Sequence, residues 1–156
     1  MAYITDDWTK SKQFLISNGG SDLTDYQIMF LVYRKGGKDS GKRFFVGTDC
    51  QDDYDDIRFT DSSGEIQSYW IETYNSNFAA VWVKFGSIPA GTSTWYLYYG
   101  NSSATSAQSA PGDIFIKYEG FESGTVGVFT NSGGQTSTVQ TSTVKEGTYA
   151  LKLTDP

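Results

Sequence analysis

The sequence predicts an all-β protein, an antiparallel β-sandwich of jelly-roll-like type with almost no helix, and three observations carry that expectation. Apolar residues recur with a period of two and nowhere with the 3.6-residue period of a helix. The alternating runs are separated by clusters of Gly, Ser, Asn and Asp, with seventeen glycines in the chain, which suits short strands joined by tight turns. Aromatic residues make up 16% of the sequence, enough large rings to fill the space between two sheets. A chain of 156 residues can bury well over half of its unfolded surface, so a core forms without disulfides. The single cysteine, Cys50, could form none within the chain.

The first strand is expected from about Trp8 to Ser17, with Trp8, Phe14 and Ile16 on one face and Asn18-Gly19-Gly20 ending it. Tyr26 to Arg34 is apolar on both faces, since Ile28, Phe30 and Val32 alternate with Met29 and Leu31, and so reads as a central strand. A polar, glycine-bearing loop over 35–42 precedes a short apolar run, Arg43 to Val46, and then the acidic stretch 49–56. Ile57 to Thr60 and Ile66 to Thr73 read as a hairpin turning at Asp61-Ser62-Ser63-Gly64, with Ile57 and Phe59 inward and Asp56 and Arg58 the other way. Residues 78–101 hold two aromatic, alternating runs joined at Pro89-Ala90-Gly91, which read as a second hairpin. In it Val81, Val83 and Phe85 share one face and Phe78, Ala80 and Trp82 the other, and Trp95, Leu97 and Tyr99 alternate with Tyr96 and Tyr98. Asn101 to Gly112 reads as a Ser/Ala linker. Beyond it the threonine-rich repeat TSTVQ-TSTV at 136–144 suits an exposed strand, and Tyr149 to Leu153 alternates again. The expected division is a β-sandwich module over 1–119, with 120–156 either completing that sandwich or opening a second jelly roll that is cut short.

Composition narrows the chemistry. There is no histidine, which removes the commonest general base and the commonest zinc ligand together. Carboxylates surround Cys50 in sequence and disfavour a thiolate, so it is not read as a nucleophile. A net charge of −6 with scattered basic residues argues against nucleic acid as a partner. No apolar stretch approaches membrane-spanning length, so membrane insertion is not expected. The amino terminus shows no secretory signal, which fits either an exported protein whose signal has been replaced or a virion component assembled in a cytoplasm.

Two candidate sites remain. The run DCQDDYDD offers oxygen ligands to a hard cation, calcium above all, with Asp52, Asp53 and Asp55 as the first choices; the plainer reading is a solvated acidic loop. The rings of Trp70, Tyr74, Trp82 and Trp95 are candidates for stacking on sugars, each with an alternative place in the core. Glu65, Glu72, Glu119 and Glu122 are raw material for a glycosidase pair, but nothing in the sequence fixes their separation, and no catalytic residue is assigned.

The ordered landmarks Trp8, Leu23-Thr24-Asp25-Tyr26-Gln27, Asp56-Ile57-Arg58-Phe59-Thr60-Asp61, Tyr69-Trp70-Ile71-Glu72, Val81-Trp82-Val83-Lys84, Ile88-Pro89-Ala90-Gly91 and Tyr98-Tyr99-Gly100-Asn101 carry a family resemblance. Over about residues 8–122 the chain resembles the domain of unknown function 2341 family of archaeal and bacterial surface and secreted proteins. Phe121-Glu122-Ser123-Gly124 with Gly147-Thr148-Tyr149-Ala150-Leu151 resembles the start of the laminin-G or concanavalin-like jelly roll that often follows such modules. The resemblance implies an extracellular, non-catalytic setting and glycan-related neighbours. The expected function is thus a carbohydrate-recognising binding or adhesion module, not an enzyme, with a glycan or cell-surface polymer as partner. The alternative is a structural assembly protein, of a virion or a surface filament, whose C-terminal strands add to a neighbouring copy.

Overall fold

The structure, a computed structural model, describes residues 2–127, 129, 134–144 and 147–154. The chain divides into two compact units, Met1–Ile114 and Phe115–Pro156.

The first unit is a β-sandwich of seven strands: β1 (Lys10–Asn18), β2 (Leu23–Tyr33), β3 (Arg43–Phe45), β4 (Arg58–Asp61), β5 (Ser68–Tyr74), β6 (Phe78–Ile88) and β7 (Gly91–Tyr99). One sheet has the order β1-β7-β4 and the other β3-β2-β6-β5. Every pairing in them is antiparallel except β2 with β3. Among the described residues helix is confined to a 3-10 turn at Gly47–Asp49 and a single turn, α1, at Pro111–Ile114. The strand count, three plus four, is one short of an eight-stranded jelly roll.

Alternation places the core as expected along β6, where Ala79, Val81, Val83 and Phe85 are fully buried. The partner run behaves differently from the sequence reading, because β6 and β7 are not a hairpin. They belong to different sheets, so Pro89-Ala90-Gly91 is an arch from one layer to the other. In one sheet the buried rows of both strands would have faced the same way and covered nothing; across the sandwich they face one another. The Phe85 and Trp95 rings meet edge to face at 4.6 Å. The arch is latched by the Asp22 carboxylate, which accepts the Ala90 N–H at 2.8 Å, and by Gly91 in the left-handed region at φ +90°.

The expected hairpin over 57–73 is likewise an arch. The turn at Asp61–Gly64 forms, with Gly64 at φ +87° and the Asp61 carboxylate accepting the N–H of Ser63 and Glu65. Only a bridge between Thr60 and Ile66 joins the two arms before β4 pairs with β7 and β5 with β6. Ile57 and Phe59 are inward as expected, but Asp56 and Arg58 are buried as well. The 101–112 segment is no free linker. Ser109 N–H donates to Tyr69 O at 2.7 Å, Ile71 N–H to the Gln108 amide at 3.2 Å, and Ile114 is buried.

In the second unit, β8 (Thr136–Gln140) and β9 (Ala150–Thr154) pair antiparallel with Val139 opposite Leu151. The Glu122 carboxylate accepts the N–H groups of Thr148 and Tyr149, and those bonds hold it below its ordinary value. The threonine-rich repeat is split: its first copy is β8, and its second leaves the strand.

Candidate functional site

The landmarks from Trp8, the 56–61 run and the 98–101 run converge on one buried polar knot. Asp56 is fully buried and its carboxylate takes four donors. The Cys50 thiol donates at 3.1 Å and Gln51 N–H at 3.0 Å to one oxygen; Gly100 N–H at 2.6 Å and Asn101 N–H at 3.3 Å donate to the other. Arg58 answers it with a guanidinium spent on carbonyls. One nitrogen donates to Asp55 O and Ile57 O at 2.7 Å and to the Tyr69 hydroxyl at 3.2 Å, and the other to Thr105 O at 3.0 Å. Trp8 roofs this guanidinium, 5.0 Å from ring centre to its carbon, and donates its indole N–H to Asp56 O. Gln51 completes the knot by donating to Asn101 O and Ala104 O. The chemistry is that of a fastener, with each polar group occupied by a neighbour. Burial, then Asp56, pushes the Cys50 thiol far above its ordinary value, which agrees with the expectation that it is no nucleophile.

The acidic loop does not gather its carboxylates. Asp52 is exposed, Asp53 accepts the Asp55 N–H at 3.1 Å, and Asp56 turns inward to the knot. Among the described residues no three Cys, Asp or Glu side chains come close enough together to hold a metal ion, so Asp52, Asp53 and Asp55 are not brought into one site.

A second assembly lies on the outer face of the four-stranded sheet, where register rather than burial defines the members. Opposite the buried row of β6, Phe78, Ala80, Trp82 and Lys84 point outward, flanked by Tyr33, Leu31, Met29 and Gln27 on β2 and by Trp70 and Ser68 on β5. Trp70 and Trp82 sit directly across from each other, both half-buried. A bulge between Ile71 and Thr73 turns Glu72 toward this face, where its carboxylate accepts the Trp82 indole N–H at 2.9 Å. Four residues along β6, about 13 Å away by strand rise, Phe78 begins a second aromatic row. Tyr33 stacks on Phe45 at 4.9 Å and meets Phe78 at 5.9 Å, with the Lys35 ammonium 5.1 Å from the Tyr33 ring centre. Between the rows lie Leu31, Ala80 and Thr73, side by side across β2, β6 and β5.

Two of the four ring candidates therefore stand together, Trp70 and Trp82. Trp95 is not with them: it is 4% exposed, packs on Phe85 and donates its N–H to the Ser93 hydroxyl, so its ring belongs to the core. Tyr74 is exposed but lies at the end of β5 against Tyr54. The rings of Tyr33, Phe45 and Phe78 were missed as a group. The available signal was parity: each occupies the same alternate register as Trp82 once β2, β3 and β6 are aligned. Of the carboxylates weighed as a catalytic pair, Glu72 is engaged by Trp82, and Glu119 and Glu122 bond backbone N–H groups of the second unit.

No curated protein and no solved structure matches the chain. The family model described as a domain of unknown function, DUF2341, matches residues 53–132, just over half of the sequence, from the acidic loop and the Asp56–Arg58 knot through both central strands into the second unit. The chain belongs to the DUF2341 family of domains of unknown function.

Proposed function

We propose that this sandwich is a non-catalytic, carbohydrate-binding module of a surface-attached or secreted protein, with the sugar seated on the outer face of the four-stranded sheet. The observation that carries it is the cross-strand pair Trp70–Trp82 with Glu72 fixed beside it by the Trp82 N–H. Ring faces with a carboxylate at their rim match the two surfaces of a pyranose, apolar C–H groups on its face and hydroxyls at its edge. A second aromatic row at Tyr33, Phe45 and Phe78, about 13 Å along β6 beyond Leu31, Ala80 and Thr73, supports a ligand of several sugar units over a monosaccharide.

A glycan array of neutral and acidic polysaccharides tests this. The expected outcome is binding that Trp82→Ala weakens by tenfold or more, about 1.4 kcal/mol, and that Tyr33→Ala weakens for long glycans but not short ones. Absence of binding across such an array, or binding indifferent to both substitutions, overturns the reading.

A further inference from the structure

The four-stranded sheet is unfinished beside β2. β3 pairs only with Leu31–Tyr33, the first bond running from Leu31 N–H to Lys42 O at 2.9 Å, and among the described residues no strand lies on that side of Leu23–Phe30. Because Leu31 directs its N–H to this side, the two-residue alternation of the ladder also turns the N–H and C=O of Met29 and Gln27 there. The same stretch lines a groove of about 700 Å³ between β2 and β1, the edge strand of the other sheet. Phe14, Ile16, Leu23 and Ile28, the half-buried hydrophobics that rest on the core, all line it. Both an open backbone rail and a partly covered core thus coincide at one side of the sandwich.

We propose that a second copy of this chain closes this edge, β2 pairing antiparallel with its counterpart over Leu23–Met29 about a two-fold axis at Tyr26. This register uses the whole open length and stops short of β3 in both copies. Charge favours it: Asp22 stands just before one end of the rail and Lys42 at the other, so the two-fold sets each Asp22 beside the other copy's Lys42. Tyr26, 48% exposed, lies at the axis, where the two rings cover each other and the two grooves open onto one another. Asp25, at φ +51° and with its carbonyl bonded by the Gln27 amide, is an irregular step that the ladder accommodates. A closed two-fold pairing also removes this edge from further strand addition. Trp70 lies two strands away on β5, whereas Trp82 also lines this groove, so the dimer is tested by sedimentation and cross-linking at Tyr26 and not by sugar binding.

Sedimentation of the 156-residue chain over a range of concentrations is expected to show a monomer–dimer equilibrium. Tyr26 turns its own N–H toward β6, so the two Tyr26 positions form a non-hydrogen-bonded pair with Cα atoms about 4.5 Å apart, within disulfide reach. Tyr26→Cys therefore cross-links the dimer on mild oxidation, whereas Tyr74→Cys, exposed on β5 at the far edge, does not, and the buried Cys50 does not compete. Tyr26→Lys weakens the dimer at least tenfold with unchanged circular dichroism and melting. A chain that stays monomeric at the highest concentrations, a Tyr74→Cys cross-link as fast as that of Tyr26→Cys, or a dimer indifferent to Tyr26→Lys overturns the proposal.

Discussion

The Asp56–Arg58 knot and the Trp70–Trp82 face are the two most elaborate clusters in the first unit, and they differ in what they leave available. In the knot two full charges and several backbone amides are buried, and among the described residues no buried side-chain nitrogen or oxygen lacks a partner. Nothing remains there with which to hold a ligand. On the sheet face Trp70 and Trp82 are half-buried and lie outside the buried core cluster, and Tyr33, Phe45 and Phe78 pack on one another. Trp8, Asp56, Arg58 and Gly100 therefore explain how a loop-rich sandwich is tied shut, and the proposed recognition falls to the sheet face.

The largest effect that would test this contrast is Asp56→Ala. It would strand the N–H groups of Gln51, Gly100 and Asn101 together with the Cys50 thiol, so a loss on the order of 4 kcal/mol is expected in denaturant unfolding. A loss below about 1 kcal/mol would mean that the knot does not fasten the sandwich.

Next in size is a pair of tryptophan truncations that the two-region view separates. Trp95→Ala opens a cavity against Phe85 and should cost about 3–5 kcal/mol, with any loss of sugar binding following the loss of fold. Trp82→Ala removes a half-buried ring from the outer face and should cost the fold far less, about 1 kcal/mol, while abolishing most of the affinity. Thermal melts beside glycan titrations decide it: equal destabilisation by both would erase the distinction between face and core.

The strand content and the inward rows were legible because burial imposes a period of two, and Val81, Val83 and Phe85 obey it without exception. Sheet membership was not legible. The same alternation on β6 and β7 serves a hairpin or an arch, and what selects the arch is the long-range pairing of β7 with β1 and of β6 with β2. The knot was hidden for a related reason. Asp56 and Arg58 flank inward residues in a strand pattern and so read as solvent-facing, whereas Trp8 and the 101–105 segment, distant in sequence, fold over them. The 101–112 segment misled through composition, since Ser, Ala and Gln look like linker yet supply the backbone and amide groups that strap β5. Trp82 was readable as outward from parity alone, but its pairing with Trp70 and the bulge at Glu72 depend on a register that a single strand does not encode.

The smallest expected effect sharpens the contrast through pH. Cys50 in the knot has its thiol raised by burial and then by Asp56 above an ordinary value of 9.0, and Tyr54 beside it is raised by burial from 10.0 to about 12. Both groups are neutral when protonated, so the unfolded chain ionises first. The folded state keeps its full stability below about pH 9 and loses it as the pH climbs toward the raised folded values. For Cys50 the slope approaches 1.4 kcal/mol per pH unit once the unfolded thiol is fully ionised. Cys50→Ala deletes that term, so its stability between pH 8 and pH 10 should fall less steeply than that of the natural chain, by about 1 kcal/mol over the interval, even though the variant starts lower at pH 7 for want of the bond to Asp56. Trp82→Ala should leave the slope unchanged, because the face carries no such buried acid. Parallel slopes for the natural chain and Cys50→Ala would show that the thiol is not held protonated by the knot.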